Sequence, residues 1–274
     1  MSTYIIPQAQ YAVIGGSGTF SIDFPEGLNY SQVKLEAVGL IFDTPFGASP
    51  AFKLFSLGDK HVLTTKMHGW RDGVTRADAS KQVFWVLREA GVKKILAEGG
   101  VGSINRLLRP ADLVIPTDYI DFSMRKDVSL GSSNLLIMRK PVCPEIRTAL
   151  AQAAEKNTKG TVFDRGVYAV TDGRHFESVA EINMLHRLDA DIVGQSMCPE
   201  VYLSREIGAC YGRLDMVVNY AEGIIEEWDY DELKSMFFSE PERIGTILLD
   251  TVNSISHEQT CGCNGLRKQT LLKE

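Results

Sequence analysis

At 274 residues the chain is long enough to close one sizeable core, and 44% apolar with 23% charged residues is globular composition, neither disordered nor membrane-embedded. Its net charge of -6 argues against a surface that tracks nucleic-acid phosphates. No apolar run approaches the roughly 20 residues that span a bilayer. Met1 to Pro7 carry neither a basic region nor a signal-like stretch, so a cytoplasmic protein without membrane or nucleic-acid partners is expected.

Tyr11–Ile14 reads as a short buried strand that runs into Gly15-Gly16-Ser17-Gly18. Strands are predicted at Val38–Phe42, Ala51–Leu57 and His61–Thr65, with Gly58-Asp59 as a hairpin turn. Val83, Phe84, Leu87 and Ala90 share one helical face between Ala77 and Ala90. Lys94–Ala97 predicts a strand ending in a second glycine cluster, Gly99-Gly100-Val101-Gly102-Ser103, and Asp112–Ile115 predicts the next strand.

A helix is expected from Cys143-Pro144 to about Lys156, because proline suits a first helical turn. Gly160–Val170 follows as a strand, then Glu177–Leu188 as a helix with Ala180, Met184, Leu185 and Leu188 on one face. Strands at Asp191–Val193 and Arg213–Val218 flank a helix near Pro199–Ile207. Ile244, Ile247, Leu248, Val252 and Ile255 mark the last long helix, and beyond His257 the pattern lapses into an extended tail, 257–274. The alternation predicts an α/β protein, helices covering a central sheet, in a single domain over 1–274.

Five scattered cysteines do not form a secreted disulfide framework. Cys261-Gly262-Cys263 reads either as a redox pair or half of a soft-metal site, or as two free thiols on a mobile tail. With no second Cys/His pair close in sequence, no metal is expected.

The two glycine clusters are candidate anion sites, since glycine lets backbone N–H groups turn toward an oxyanion and a nearby hydroxyl adds a donor. Ser21 and Asn105 break the dinucleotide fingerprint after each cluster, and no Walker lysine follows.

Gly15-Gly16-Ser17-Gly18, Thr44-Pro45-Phe46-Gly47, Met67-His68-Gly69, Gly100-Val101-Gly102-Ser103 and Pro199-Glu200-Val201 occur in order. Together they resemble the trimeric purine nucleoside phosphorylase and methylthioadenosine phosphorylase family, from about Tyr11 to Ile255. The resemblance implies a mixed, barrel-like central sheet surrounded by helices, and a homotrimer or dimer of trimers with sites near subunit interfaces. It implies no cofactor, with inorganic phosphate as co-substrate. Ser17 and Ser196 would donate hydroxyls to phosphate, His68 would add a contact, and Gly100 would offer its backbone N–H. Neutral donors of this kind hold phosphate in line with the anomeric carbon without pairing it too strongly.

Phe176-Glu177 resembles the 6-oxopurine branch, where the aromatic packs on the base and the acid binds its N1 edge. Asn219 would then donate to N7 of the departing base, which gains negative charge as the sugar becomes oxocarbenium-like. The adenine-selective branch carries aspartate at that position and again two residues on, where this chain has Asn219 and Ala221. Read singly, Phe176 fits a core aromatic, Glu177 a solvated first helical turn, Asn219 a turn residue and His68 a structural histidine. As an ordered set they describe a site.

Several positions depart from the family. Met67 and Lys66 stand where its two branches carry arginine before the histidine, which removes a bidentate fork and leaves Arg71 as the candidate substitute. Gly99 replaces a Thr or Asn, Gln195 replaces a methionine under the ribose, and Asp172-Gly173-Arg174-His175 places two cations beside the base pocket. Trp70 to Ser80 matches poorly, and Ile224, Ile225 and Trp228 would line the 5' end of the sugar.

The expected activity is phosphorolysis of an inosine- or guanosine-type nucleoside to free purine and (deoxy)ribose 1-phosphate, as in purine salvage. Phosphorolysis of S-methyl-5'-thioinosine or S-methyl-5'-thioadenosine is the alternative within the family. A nucleoside-binding homologue without catalysis is the alternative outside it.

Overall fold

Strand β1 (Tyr11–Gly15) is buried along its whole length, and its period-2 alternation divides its side chains between two cores. Ala12 and Ile14 point into one, with Ile95, Ala97, Val83, Phe84, Leu87 and Val201; Tyr11 and Val13 point into the other, with Leu96, Ile146, Leu150, Ile247 and Leu248. A sheet buried on both faces needs helices on both faces. They are α1 (Arg76–Glu89) and α4 (Met197–Glu206) on the first side, α2 (Pro144–Asn157) and α6 (Pro241–Ser254) on the second. The protein is seen here as a computed structural model that describes residues 5–68, 71–157, 159–225 and 229–271.

The sheet is mixed. β1 pairs in parallel with β6 (Lys60–Lys66) and β7 (Lys94–Ser103). β5 (Phe52–Leu57) joins β6, and β2 (Val33–Leu40) joins β5, both antiparallel. Between β2 and β5, β3 (Asp43–Thr44) and β4 (Gly47–Ala48) form a small hairpin around Pro45-Phe46.

On its other side β7 pairs in parallel with β14 (Cys210–Tyr220), which carries β8 (Leu113–Val114) antiparallel. β11 (Val162–Phe163) then adds to β8 in parallel. The far end of β7 also pairs antiparallel with β13 (Ile192–Gly194), which leads to β12 (Val167–Val170) and β9 (Asp118–Asp121). The eleven-stranded sheet therefore branches at β7, with helices around it in one α/β domain, the predicted fold class.

Several elements differ from their sequence prediction. The second glycine cluster is not a turn: β7 runs through Gly99, Gly100 and Gly102 to Ser103. These glycines leave room for side chains pressing on the strand, since a Cβ at Gly99 would lie 2.4 Å from Arg213 Nη2 and one at Gly100 would lie 2.9 Å from Ser17 Oγ. The predicted strand Gly160–Val170 is two strands, β11 and β12, which pair with different neighbours. Helix α3 (Val179–Arg187) starts later than predicted because Ser178 and Glu181 close a capping box, leaving Glu177 outside the helix. Short β9 and β10 (Asn134–Leu136) and helix α5 (Tyr230–Ser239) lacked a legible pattern.

The segment expected to be an extended tail folds back. A 3-10 turn at Cys263–Leu266 leads into β15 (Arg267–Gln269), antiparallel to β10.

Candidate active site

A cavity of about 640 Å³ opens where β1, β6, β7, β13 and β14 end. Ser17, Lys66, His68, Gly100, Phe176, Glu177, Gln195, Ser196, Asn219 and Ala221, all singled out in the sequence, border this one space. Gly69 and Trp228 lie outside the described residues, and Ile224 is buried in a satellite core below Ala221.

The first glycine cluster folds as predicted, a strand end turning into a 3-10 helix at Ser17–Thr19, but its amides face inward. Glu98, fully buried on β7, accepts from the N–H of Gly16, from Gly18 N at 2.7 Å, from Thr19 N at 3.1 Å and from Thr19 Oγ1 at 2.7 Å. A carboxylate of the protein itself thus fills the anion nest. Gly100 is corrected likewise: its N–H donates to Ser17 Oγ at 2.6 Å rather than pointing at a ligand. With its oxygen accepting there, the Ser17 hydroxyl is set to donate its own proton elsewhere.

His68 is held by Glu200 of α4, Nε2 to Oε1 at 2.5 Å, with the imidazole nearly buried and the carboxylate fully so. Tyr211 donates to the other oxygen of Glu200 at 2.9 Å, and Arg213 Nη1 lies 3.6 Å from it. Burial alone would raise the Glu200 pKa; His68, Arg213 and Tyr211 outweigh it, so the carboxyl titrates below its ordinary value. Gly16 has to be glycine, because a Cβ there would sit 2.2 Å from His68 Nδ1 and 2.6 Å from the Glu98 carbonyl.

Arg213, fully buried on β14, joins this cluster to the cavity. Its Nε donates to both oxygens of Asp215, at 2.8 and 2.9 Å, its guanidinium stacks 5.1 Å from the centre of the Tyr168 ring, and its Nη2 donates to Ser196 Oγ at 2.8 Å. Ser196 occupies the N-cap position of α4 but makes no capping bond. Its oxygen accepts from a cation, so its proton is available to a ligand in the cavity. Gly99, which in the sequence only removed a side chain, provides the space for this guanidinium.

Lys66 does not stand in for the missing arginine. It donates to the carbonyls of Phe20 at 2.9 Å and Ile22 at 3.1 Å and so fastens the turn after Ser17. Arg71 bonds the carbonyl of Ala48 and the side chain of Gln82 and does not line the cavity. Arg76, at the first position of α1, does line it, beside His68, Ser196 and Gln195. Its Nη1 reaches the Asp172 carbonyl at 3.2 Å and Gln195 Oε1 at 3.4 Å.

At the other end Glu177 is buried just before α3, its carboxylate accepting from Thr171 Oγ1 at 2.5 Å. It is therefore not a solvated acid of the first helical turn. Phe176, half-exposed, borders the same space and is not a core aromatic. Asn219 follows a bulge: Val217 pairs with Val101 and Asn219 with Gly102, leaving Val218 as the extra residue that re-aims the strand end. One N–H of its amide donates to the Tyr220 carbonyl at 2.7 Å, which leaves the second N–H and the oxygen for a ligand. Gln195 bonds the His175 carbonyl at 3.3 Å and Ala221 closes the wall.

Glu98, Arg76, Arg213 and Asp215 escaped sequence reading. The available signal was the pair of charges, Arg213 and Asp215, inside a predicted strand, since a charge buried in a sheet demands a partner.

A family model described as the phosphorylase superfamily matches residues 10–253. The chain is similar to a 6-oxopurine nucleoside phosphorylase of Pyrococcus furiosus, 32% identical across 94% of this chain and 97% of that one. It is also similar to a probable S-methyl-5'-thioinosine phosphorylase of Methanothermobacter thermautotrophicus, 31% identical across 92% and 86%. Among solved structures, a methylthioadenosine phosphorylase from an antarctic soil metagenomic library superposes with a TM-score of 0.82, covering 97% of this chain and 93% of that one at 23% identity, a likeness of fold.

Proposed function

Because the chain belongs to the phosphorylase superfamily, we propose that its cavity cleaves the glycosidic bond of a 6-oxopurine nucleoside with phosphate as the nucleophile. The observation that carries this reading is the meeting of two sets of side chains in one space: Ser17, His68, Ser196 and Arg76 on one side, Glu177, Asn219 and Phe176 on the other.

Phosphate is held by the Ser17 and Ser196 hydroxyls, each polarised through its oxygen by a bound donor, and by the positive charge of Arg76. His68, fixed by Glu200, faces the same end. The C1'–N9 bond breaks as a phosphate oxygen bonds to C1', and the electron pair passes into the purine. Asn219 N–H stabilises that charge at N7, and the Glu177 carboxylate accepts from the N1–H that 6-oxopurines possess and adenine lacks. Free base and a pentose 1-phosphate result. The reaction needs no organic cofactor.

Relatives named for S-methyl-5'-thioinosine, and an apolar stretch of wall made by Val218, Leu233 and Phe237, favour that methylthio nucleoside as a second substrate. Exposed Met124, Phe176 and Val179 support the expected homotrimer as surface for a neighbouring subunit.

Ser196→Ala and Arg76→Gln should each raise the phosphate KM by roughly 10- to 100-fold, the worth of one charge-assisted hydrogen bond. Initial rates against phosphate at saturating inosine measure this. A change confined to the nucleoside KM would remove both residues from the phosphate end.

A further inference from the structure

The cysteines scattered through the sequence meet at one point. Cys143 immediately precedes α2, Cys210 opens β14, and Cys261 and Cys263 come from the segment after α6. Their four sulfurs all lie within 4.8 Å of one another, and Cys143, Cys210 and Cys263 are buried. We propose that these four thiols form a closed structural zinc site that anchors the C-terminal segment to the base of the sheet.

The donor chemistry and spacing both fit. Four thiolates around Zn²⁺ at about 2.3 Å place neighbouring sulfurs about 3.8 Å apart at the corners of a tetrahedron. Here all six separations fall within 4.8 Å, with Cys210 Sγ and Cys261 Sγ at 3.4 Å, so small side-chain shifts bring every sulfur to bonding distance of a central ion. Four sulfur ligands with no nitrogen or oxygen select a soft, tetrahedral ion. Gly262 adopts a left-handed conformation, φ 77°, which bends Cys261 and Cys263 around a single point.

The surroundings suit the charge of such a centre. Zn²⁺ with four thiolates carries two net negative charges, and binding releases each bound thiol's proton to solvent. The ammonium of Lys94, almost fully buried, lies 3.8 Å from Cys210 Sγ, and Gln259 Nε2 donates to the same sulfur at 3.4 Å. Cys143 sits at the N-terminal end of α2, where the helix dipole favours negative charge. Arg205 donates to the Cys263 carbonyl at 3.0 Å and holds the loop from outside. These contacts act as an outer shell that orients the ligands.

The role is structural. Cys210 and Asn219 stand at opposite ends of β14, about 30 Å apart at strand rise. The site instead ties together three segments from 143 to 263, and β15 follows directly from it to pair with β10.

The test is metal content and thiol state of the full chain purified without chelator under reducing conditions. One zinc per chain by mass spectrometry of the elements, released when a mercurial titrates the thiols, is the expected result. Cobalt substitution should give sulfur-to-cobalt charge-transfer absorption. Cys143→Ser and Cys261→Ser should lose the metal while Cys198→Ser retains it. If those variants fail to fold, the unmodified chain still decides. Substoichiometric metal after refolding with added zinc would overturn the proposal, as would an intact mass lacking the hydrogens lost on disulfide formation.

Discussion

Replacing Arg213 by methionine should destabilise the protein by about 3–5 kcal/mol, the usual result of removing one partner from a buried ion pair. That corresponds to a fall in Tm on the order of 10 °C for a chain of this size. Arg213 is fully buried, and both oxygens of Asp215, also fully buried, accept from it. Burial is the largest influence on Asp215 and pushes its carboxyl up to about 6 even with the guanidinium in place. Without the guanidinium that carboxyl rises further, so it prefers to stay protonated in the folded state.

The sign of the pH effect follows. An acid whose folded pKa lies above its unfolded value leaves stability intact at low pH and weakens it as pH rises from the unfolded toward the folded pKa. The gap in Tm between parent and Arg213→Met should therefore be wider at pH 8 than at pH 5. Adding Asp215→Leu should recover part of the loss. Thermal melts at both pH values decide the matter. A variant melting within about 2 °C of the parent would mean that the pair contributes little.

The second large effect concerns substrate choice. Asn219→Asp should lower kcat/KM for inosine by roughly 10²–10³-fold, the scale of losing one donor aimed at developing charge. The carboxylate repels O6 and cannot donate to N7, but it accepts from a 6-amino group, so the inosine-to-adenosine ratio should fall. The absolute gain on adenosine should be modest, because the Glu177 carboxylate still faces N1, which in adenine is an acceptor. Asn219→Ala separates the two effects: it loses the donor without adding repulsion and should depress both substrates. An unchanged ratio in Asn219→Asp would detach this residue from the base.

The parts of the fold that were legible are those with local patterns. β1 and its glycine turn, the β5–β6 hairpin around Gly58-Asp59 and helix α6 all carry their periodicity within a few residues. The glycine cluster of β7 misled because glycine signals either a turn or a close approach. Only the neighbours decide between these, and here they are Arg213, more than a hundred residues away, and Ser17. Glu177 borders the cavity with the rest of its set, yet its burial depends on where α3 begins, which the Ser178–Glu181 box sets two residues later than the sequence pattern suggests.

Residues that contact the cavity were thus visible as an ordered set of motifs, whereas the contacts that hold them in place were not. His68 is positioned by Glu200, Ser196 by Arg213 and the Ser17 turn by Glu98, each from a distant segment. The cysteines follow the same rule. Cys261 and Cys263 lacked a second pair nearby in sequence because Cys143, just before α2, and Cys210 of β14 come to them through the fold.

The most direct test of the proposed reaction is purine release from inosine, guanosine, adenosine and their 5'-methylthio counterparts, each with and without phosphate. Release that requires phosphate, is restricted to 6-oxopurines and yields a pentose 1-phosphate is the predicted result, with the best substrate identifying the sugar. Release without phosphate, or adenine as the preferred product, would contradict the account.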